Sequence, residues 1–248
     1  MLSKSGIRVR LGRYELTILI GVLAAAALLF GFVELAGEVL EGETSALDHR
    51  LLLALRNPAD PSDPLGPYWF EEMARDITAL GSTSVLALIT LSVAGFLLML
   101  GKRAAPLLLL ISVGGGMLLS TVLKIGIDRA RPDLVPHGTT VYTASFPSGH
   151  SMLSAVVYLT LGALIARLVA QRRLKAYPLV LAILLTLLVG ASRVYLGVHW
   201  PTDVLAGWAI GAAWALLCWL LALWLQSRGA VETENETASD LEADRSNR

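Results

Sequence analysis

The sequence predicts an all-α, polytopic membrane protein with six transmembrane helices. The chain of 248 residues is 55% hydrophobic and 16% charged, with a mean hydropathy of +0.63, whereas about a quarter of the residues in a soluble domain are charged. Its apolar residues form discrete runs, and about 20 helical residues can cross a hydrocarbon core. Six runs are interpreted as spans, over residues 16–35, 85–100, 104–127, 151–169, 179–196 and 204–225.

The first run follows a basic segment, residues 1–14, and could be mistaken for a secretory signal. That segment contains Lys4, Arg8, Arg10 and Arg13. The apolar stretch is longer than the core of a signal peptide, and no clear small-residue cleavage site follows it. We therefore expect a retained anchor that is preceded by a cytoplasmic N-terminus.

Basic residues between the later spans predict the orientation of the chain. They are Lys102 and Arg103 between the second and third spans, and Arg172, Arg173 and Lys175 between the fourth and fifth. Such segments stay on the cytoplasmic side of a membrane. Both termini should therefore lie on the cytoplasmic side of a bacterial inner membrane. Residues 38–81, 128–148 and 197–201 should then face outward. The net charge of zero gives no indication of a partner.

The long outer connection, residues 38–81, should contain two short interfacial helices. In the first, over residues 46–56, an apolar stripe lies opposite a polar group that includes the surface residue His49. The stripe is Leu47, Leu51, Leu52 and Leu55, and the polar group is Asp48, His49 and Arg50. Four prolines then interrupt the chain, before an aromatic cluster at 68–70 and a second helix over 70–80. This connection is either a surface spacer or a lid that admits a lipid tail.

Three other features are structural rather than catalytic. Gly114, Gly115 and Gly116 lie in the middle of a span, where small residues allow helices to pack closely. Cys218 is the single cysteine, so no intrachain disulfide can form. The acidic segment 226–248 has no apolar periodicity, and we expect a disordered cytoplasmic tail.

Three polar clusters lie at the ends of spans that should all reach the outer boundary. The first holds Lys124, Arg131 and Pro132; the second is Pro147-Ser148-Gly149-His150; the third holds Ser192, Arg193, His199 and Asp203. Ionisable residues at the ends of spans are costly and usually functional. The clusters should therefore meet in one site.

The cations in these clusters suit a phosphate group. Lys124, Arg131 and Arg193 would supply three positive charges, and an arginine fork matches phosphate oxygens. Phosphoryl transfer depends mainly on such positioning and charge stabilisation. For Lys124 the alternative is a lysine that only extends to the membrane interface.

The second and third clusters supply helix starts and histidines. Ser148 and Gly149 precede an apolar helix whose N-terminus can bind an anion, although a simple helix cap explains them equally well. His199 and Asp203 are four residues apart, so on a helix they share a face, although Pro201 fits best in the first turn of the last span. Asp203 could fix the tautomer of His199 and leave the other ring nitrogen as a nucleophile; the alternative is a capping pair. We expect no metal and no other cofactor, because the three cations would repel a divalent ion.

In order and spacing, the three clusters resemble the motif of the type 2 phosphatidic acid phosphatase superfamily, which also includes vanadium-dependent haloperoxidases and bacterial acid phosphatases. All eleven fixed positions are present between Lys124 and Asp203, and the six-span layout resembles the integral-membrane lipid phosphatases of that superfamily.

The resemblance implies a role for each motif residue. His199 would be the nucleophile, oriented by Asp203, and His150 the general acid. The phosphoryl oxygens would be held by Lys124, Arg131, Ser148, the Gly149 N–H and Arg193. Opposite protonation requirements for the two histidines predict a bell-shaped pH profile.

We therefore expect a lipid phosphatase whose partners are the membrane and a lipid phosphate, with no nucleic acid; the oligomeric state is left open. Candidate substrates are undecaprenyl diphosphate, phosphatidic acid, phosphatidylglycerophosphate and a lipid A phosphate. The alternatives are a lipid phosphotransferase and, less favoured, a lipid transporter or a haloperoxidase. Additional contributors to the site could be Arg129, Asp133, His137 and Tyr195.

Overall fold

The computed structural model describes residues 4–133, 144–169 and 171–227, which form eight helices and one pair of strands. In chain order these are α1 (Lys4–Glu41), α2 (Ser45–Leu53), β1 (Arg56–Asn57), β2 (Asp60–Pro64), α3 (Tyr68–Ala79), α4 (Thr83–Met99), α5 (Ala104–Gly126), α6 (Gly149–Leu168), α7 (Arg172–Tyr195) and α8 (Pro201–Ser227).

In the described part of the chain, the helices confirm an all-α membrane protein with five to six candidate spans. Five are long and apolar enough to cross a membrane: Glu15–Glu41 of α1, α5, α6, most of α7, and α8. The sixth would be α3 together with α4, which are bent by 48° at the break between them. With 17 residues, α4 alone would extend only roughly 26 Å.

Most differences from the predicted spans lie at the helix ends. Residues 4–14 of the basic N-terminal segment already belong to α1, which begins at Lys4. The helix α7 begins at Arg172 and continues through Pro178, so its first turns are less apolar than the predicted span. The helix α8 begins at Pro201, because proline fits the first helical position.

Glycines allow the central helix α6 to lie close to α8. A Cβ added to Gly211 would lie 2.5 Å from the Met152 carbonyl oxygen, and one added to Gly207 would lie 2.8 Å from the Ser148 oxygen. The predicted close packing is also confirmed at Gly115, where a Cβ would lie 2.4 Å from the Trp214 ring, whereas Gly114 faces open space. Gly207 and Gly211 therefore allow the backbone of α8 to lie close to the first turns of α6.

Replacing Gly211 by alanine should lower the thermal stability of the protein in detergent. The new methyl group would overlap a backbone oxygen, and overpacking of this kind costs about 1–3 kcal/mol. Gly114→Ala is the matched control, because its methyl group meets nothing within 4 Å. Equal melting temperatures for the two variants would contradict this account of the α6–α8 contact.

The first outer loop contains two short helices, as predicted, and one residue of the polar group of α2 is buried in the protein. Asp48, assigned to the polar face, is fully buried, whereas Leu47 is 53% exposed. The helix therefore packs on the protein through Asp48 together with Leu52, which is also fully buried. His49 is exposed, as expected.

The antiparallel pair of β1 and β2 was not predicted from the proline-rich stretch. It pairs Arg56 with Pro64 and Asn57 with Asp60. Each strand has a free edge, where proline is tolerated.

Candidate active site

Seven of the eight predicted site residues lie where four helix ends meet, and the eighth, Arg131, lies in the segment that follows α5. Lys124 is in the last turn of α5, Ser148 caps α6, Gly149 and His150 begin α6, Arg193 is in the last turn of α7, His199 precedes α8, and Asp203 is in its first turn. Antiparallel helix pairs bring these ends to one side of the bundle. A direct link is the Ser148 N–H, which donates to the Asp203 carbonyl at 2.9 Å.

The imidazole of His199 lies between a carboxylate and a guanidinium. Its Nδ1 is 3.4 Å from Asp203 Oδ2, and its Nε2 is 3.1 Å from Nη1 of Arg131. Because the guanidinium can only donate, this geometry places the proton on Nδ1 and the lone pair on Nε2. Burial lowers the pKa of His199 to about 3, although Asp203 acts in the opposite direction. The ring is therefore neutral at pH 7.

The Asp203 carboxylate is fully buried and well supplied with donors. Its Oδ2 accepts the backbone N–H of Trp200 at 2.9 Å and the hydroxyl of Ser145. Its Oδ1 accepts Nη1 of Arg129 at 2.7 Å. These bonds fix the carboxylate against His199, as in other pairs in which an acid orients a histidine.

Ser145 was missed by the sequence analysis, whereas Arg129 was named only as a possible contributor. Ser145 lies three residues before Ser148, and Arg129 two residues before Arg131, so closeness to a cluster was the available signal. Both side chains donate to Asp203, and the Ser145 backbone N–H donates to the Arg129 carbonyl at 2.8 Å.

At the start of α6, Ser148 performs the predicted capping function. Its Oγ accepts from the backbone N–H and the hydroxyl of Ser151, at 3.5 and 3.0 Å. The hydroxyl hydrogen of Ser148 can still donate to a ligand. A Cβ on Gly149 would make ordinary contact with Lys124 at 3.5 Å, so the lysine side chain lies beside this helix start.

The three predicted cations line the same region. Lys124 donates to the Ala144 carbonyl at 2.7 Å, and Nη1 of Arg131 donates to that of Val198 at 3.0 Å. Nη1 of Arg193 donates to Thr78 at 3.0 Å. Within the described part of the chain, the buried Nε of Arg193 has no hydrogen-bond partner.

His150 lies within electrostatic range of all three cations and of His199. The break between α3 and α4 packs against it, since a Cβ on Gly81 would lie 3.3 Å from its Cδ2. Together with Thr78, this contact makes the end of the first outer loop a wall of the site.

Within the described residues, several others that the sequence analysis named near the site do not contact the eight predicted site residues through their side-chain hydrogen bonds. The Ser192 hydroxyl donates within its own helix, to Val189. Tyr195 donates to Leu65 at 2.9 Å and so anchors the first outer loop. Asp133 is exposed, and His137, like most of the predicted acidic tail, lies outside the described residues.

Known proteins are similar to this chain in both sequence and fold. The sequence profile of the PAP2 superfamily matches residues 105–227. Phosphatidylglycerophosphatase B of Bacillus subtilis is 39% identical over 146 residues, which cover 58% of this chain and 70% of that protein. A lipid A 1-phosphatase of Rhizobium etli is 31% identical over 176 residues, which cover 61% and 71%.

A solved structure extends this similarity to the whole bundle. The crystal structure of a transmembrane PAP2-type phosphatidylglycerolphosphate phosphatase from Bacillus subtilis aligns with a TM-score of 0.69 and 30% identity, over 81% of this chain and 96% of that one. The matching sequence profile, the well-covered relatives and the shared helix arrangement lead to one conclusion: this chain belongs to the PAP2 superfamily.

Proposed function

We propose that this protein is a lipid phosphatase that works through a phosphohistidine on His199 and needs no metal. The observation that carries the proposal is the neutral imidazole of His199, whose Nε2 faces Arg131 in a region shared with two further cations. A nucleophile beside an anion site is the arrangement that phosphoryl transfer requires.

In the first step, Nε2 of His199 attacks phosphorus and the bond from phosphorus to the leaving oxygen breaks. His150 gives its proton to that oxygen, so that the lipid product leaves as an alcohol or a phosphate. The Nδ1 proton of His199 stays in place, and Asp203 stabilises the positive charge that develops on the ring.

In the second step, water attacks phosphorus and the bond from Nε2 to phosphorus breaks. The neutral His150 left by the first step accepts a proton from the water, which returns both histidines to their starting states. Lys124, Arg131, Arg193, the Ser148 hydroxyl and the Gly149 N–H would hold the phosphoryl oxygens in both steps.

The substrate we propose is a lipid with a terminal phosphate monoester or diphosphate, such as phosphatidylglycerophosphate or undecaprenyl diphosphate. A site at the ends of spanning helices suits a phosphate at headgroup depth with its tail in the bilayer. The basic loops support an inner-membrane orientation with both termini inside and the site at the outer, periplasmic face.

Phosphate release by the purified protein in detergent tests this function. The substrates are undecaprenyl diphosphate, phosphatidic acid and phosphatidylglycerophosphate, and the extracted lipids are analysed for a phosphorylated acceptor. Release of free phosphate from at least one lipid is expected. A phosphorylated acceptor lipid without free phosphate would instead identify a phosphotransferase, and no product of either kind would overturn the proposal.

Removing metal should leave the activity unchanged, whereas vanadate should inhibit it. Three positive side chains take the place that a divalent cation holds in many other phosphoryl-transfer enzymes, and vanadate resembles the pentacoordinate transition state. The measurement is phosphate release after dialysis against EDTA, and again with micromolar vanadate. Loss of activity in EDTA that is restored by a divalent cation would contradict the metal-free mechanism.

A further inference from the structure

A buried ionic chain connects α2 of the first outer loop to the start of α8. Oδ2 of Asp48 accepts from Nη2 of Arg129 at 2.7 Å and from the Thr202 hydroxyl at 2.6 Å. Oδ1 of Asp48 accepts the Thr202 backbone N–H at 3.0 Å. Nη1 of Arg129 donates to Asp203 at 2.7 Å, so one guanidinium lies between two fully buried carboxylates.

We propose that Asp48 is a positioning residue, which acts on His199 through Arg129 and Asp203. This inference rests on the proposed function, because it concerns the residue that orients the nucleophile. The two oxygens of Asp203 have separate partners: Oδ1 faces Arg129 and Oδ2 faces Nδ1 of His199. An arginine that is held in place by Asp48 therefore fixes the rotation of the Asp203 carboxylate.

Asp48 also determines how much negative charge Asp203 presents to the histidine. If Arg129 were paired with Asp203 alone, the pair would be neutral. Because Asp48 shares the guanidinium, the three side chains together carry one net negative charge. This charge lies beside the imidazole on which positive charge develops during phosphoryl transfer, and buried charges interact strongly.

The contacts of Asp48 predict which kinetic constant it controls. Its hydrogen bonds go to Arg129 and Thr202, not to the cations that would hold the phosphate. Removing its charge should therefore slow the chemical step and leave the binding of phosphate or vanadate almost unchanged.

The test compares Asp48→Asn with the wild-type enzyme on the best lipid substrate. We expect kcat to fall about 10–100-fold, as for other residues that orient a ligand or nucleophile from behind, while KM and vanadate inhibition change less than about threefold. Asp63→Asn is the matched control, because Asp63 is an exposed carboxylate of the same loop. It should retain the wild-type kcat.

A double-mutant cycle tests the route through Arg129. If Asp48 acts through this arginine, Asp48→Asn in an Arg129→Gln background should cause little further loss, so that the two effects are not additive. Arg129→Lys keeps a charge between the carboxylates and should retain at least about tenfold more kcat than Arg129→Gln. This comparison tests the Arg129 step of the route independently of the folding of Asp48→Asn.

The outcomes separate this inference from the proposed function. A folded wild-type protein that releases no phosphate would overturn the proposed function itself. With an active wild type, a normal kcat in Asp48→Asn would overturn only the role of Asp48. A fall in kcat that is matched by weaker vanadate inhibition and a lower melting temperature would show a merely structural role. Additive effects of Asp48→Asn and Arg129→Gln would show the same, as would equal kcat values for Arg129→Lys and Arg129→Gln.

Discussion

Replacing His199 by asparagine should lower kcat/KM by at least about 10⁴-fold, since the variant has no nucleophile for the first step. Asparagine is small enough for the buried position and can still donate to Asp203. The fold should therefore survive while the ring nitrogen that faces Arg131 is lost. The measurement is the initial rate of phosphate release, with equal amounts of monodisperse protein for each variant.

His49→Asn is the control for this substitution, because His49 is an exposed histidine outside the set of motif residues. Its rate should stay within about twofold of the wild type, as for most surface substitutions. A His199→Asn enzyme within tenfold of the wild-type rate would require a different nucleophile.

Arg193→Gln should lower kcat/KM by about 10²–10³-fold, as the loss of one charged donor does in other preorganised sites. The Nε of Arg193 is buried and, within the described residues, has no hydrogen-bond partner, which is costly without a ligand. A phosphoryl oxygen would supply the acceptor. The same variant should weaken inhibition by vanadate, since vanadate would occupy the same position.

Two controls separate the phosphate contact from general effects of charge. Arg75→Gln removes an exposed arginine of α3 that pairs with Glu71, and its activity should not change. Thr78→Val removes the side-chain partner of Arg193 and should cost less than about fivefold, because the guanidinium remains. If Arg193→Gln were no worse than these controls, Arg193 would not bind the phosphate.

The sequence predicted that the motif residues lie close together, because most of them sit at helix ends. Long apolar runs define the spans, and alternation of their direction brings Lys124, His150, Arg193 and His199 to the same end of the bundle. Pro201 does not prevent contact between His199 and Asp203, because the proline begins α8 and Asp203 lies in its first turn.

The sequence could not reveal the buried role of Asp48. Periodicity in α2 indicates which residues share a face but not which face is buried, and a carboxylate beside Leu51 and Leu52 is typical of a polar surface. Its partner Thr202 is 154 residues away in the chain. Only the packing of the first outer loop on α8 brings the two together.

The bend between α3 and α4 could not be predicted from hydropathy either. The predicted helix over 70–80 and the predicted span over 85–100 correspond to α3, which ends at Ala79, and to α4, which Ser82 caps through the Val85 N–H, but the 48° bend between them was not predicted. Close contact of Gly81 with Val189 and His150 places the break against the site. Hydropathy carries no information about such a contact.

The stereochemical course at phosphorus tests the phosphohistidine mechanism most directly. A lipid phosphorothioate made chiral with oxygen isotopes would be hydrolysed in isotopically labelled water, and the configuration of the released thiophosphate determined. Two successive in-line displacements, on His199 and then by water, predict net retention of configuration. Net inversion would mean that water attacks the substrate directly, and it would contradict the phosphohistidine mechanism.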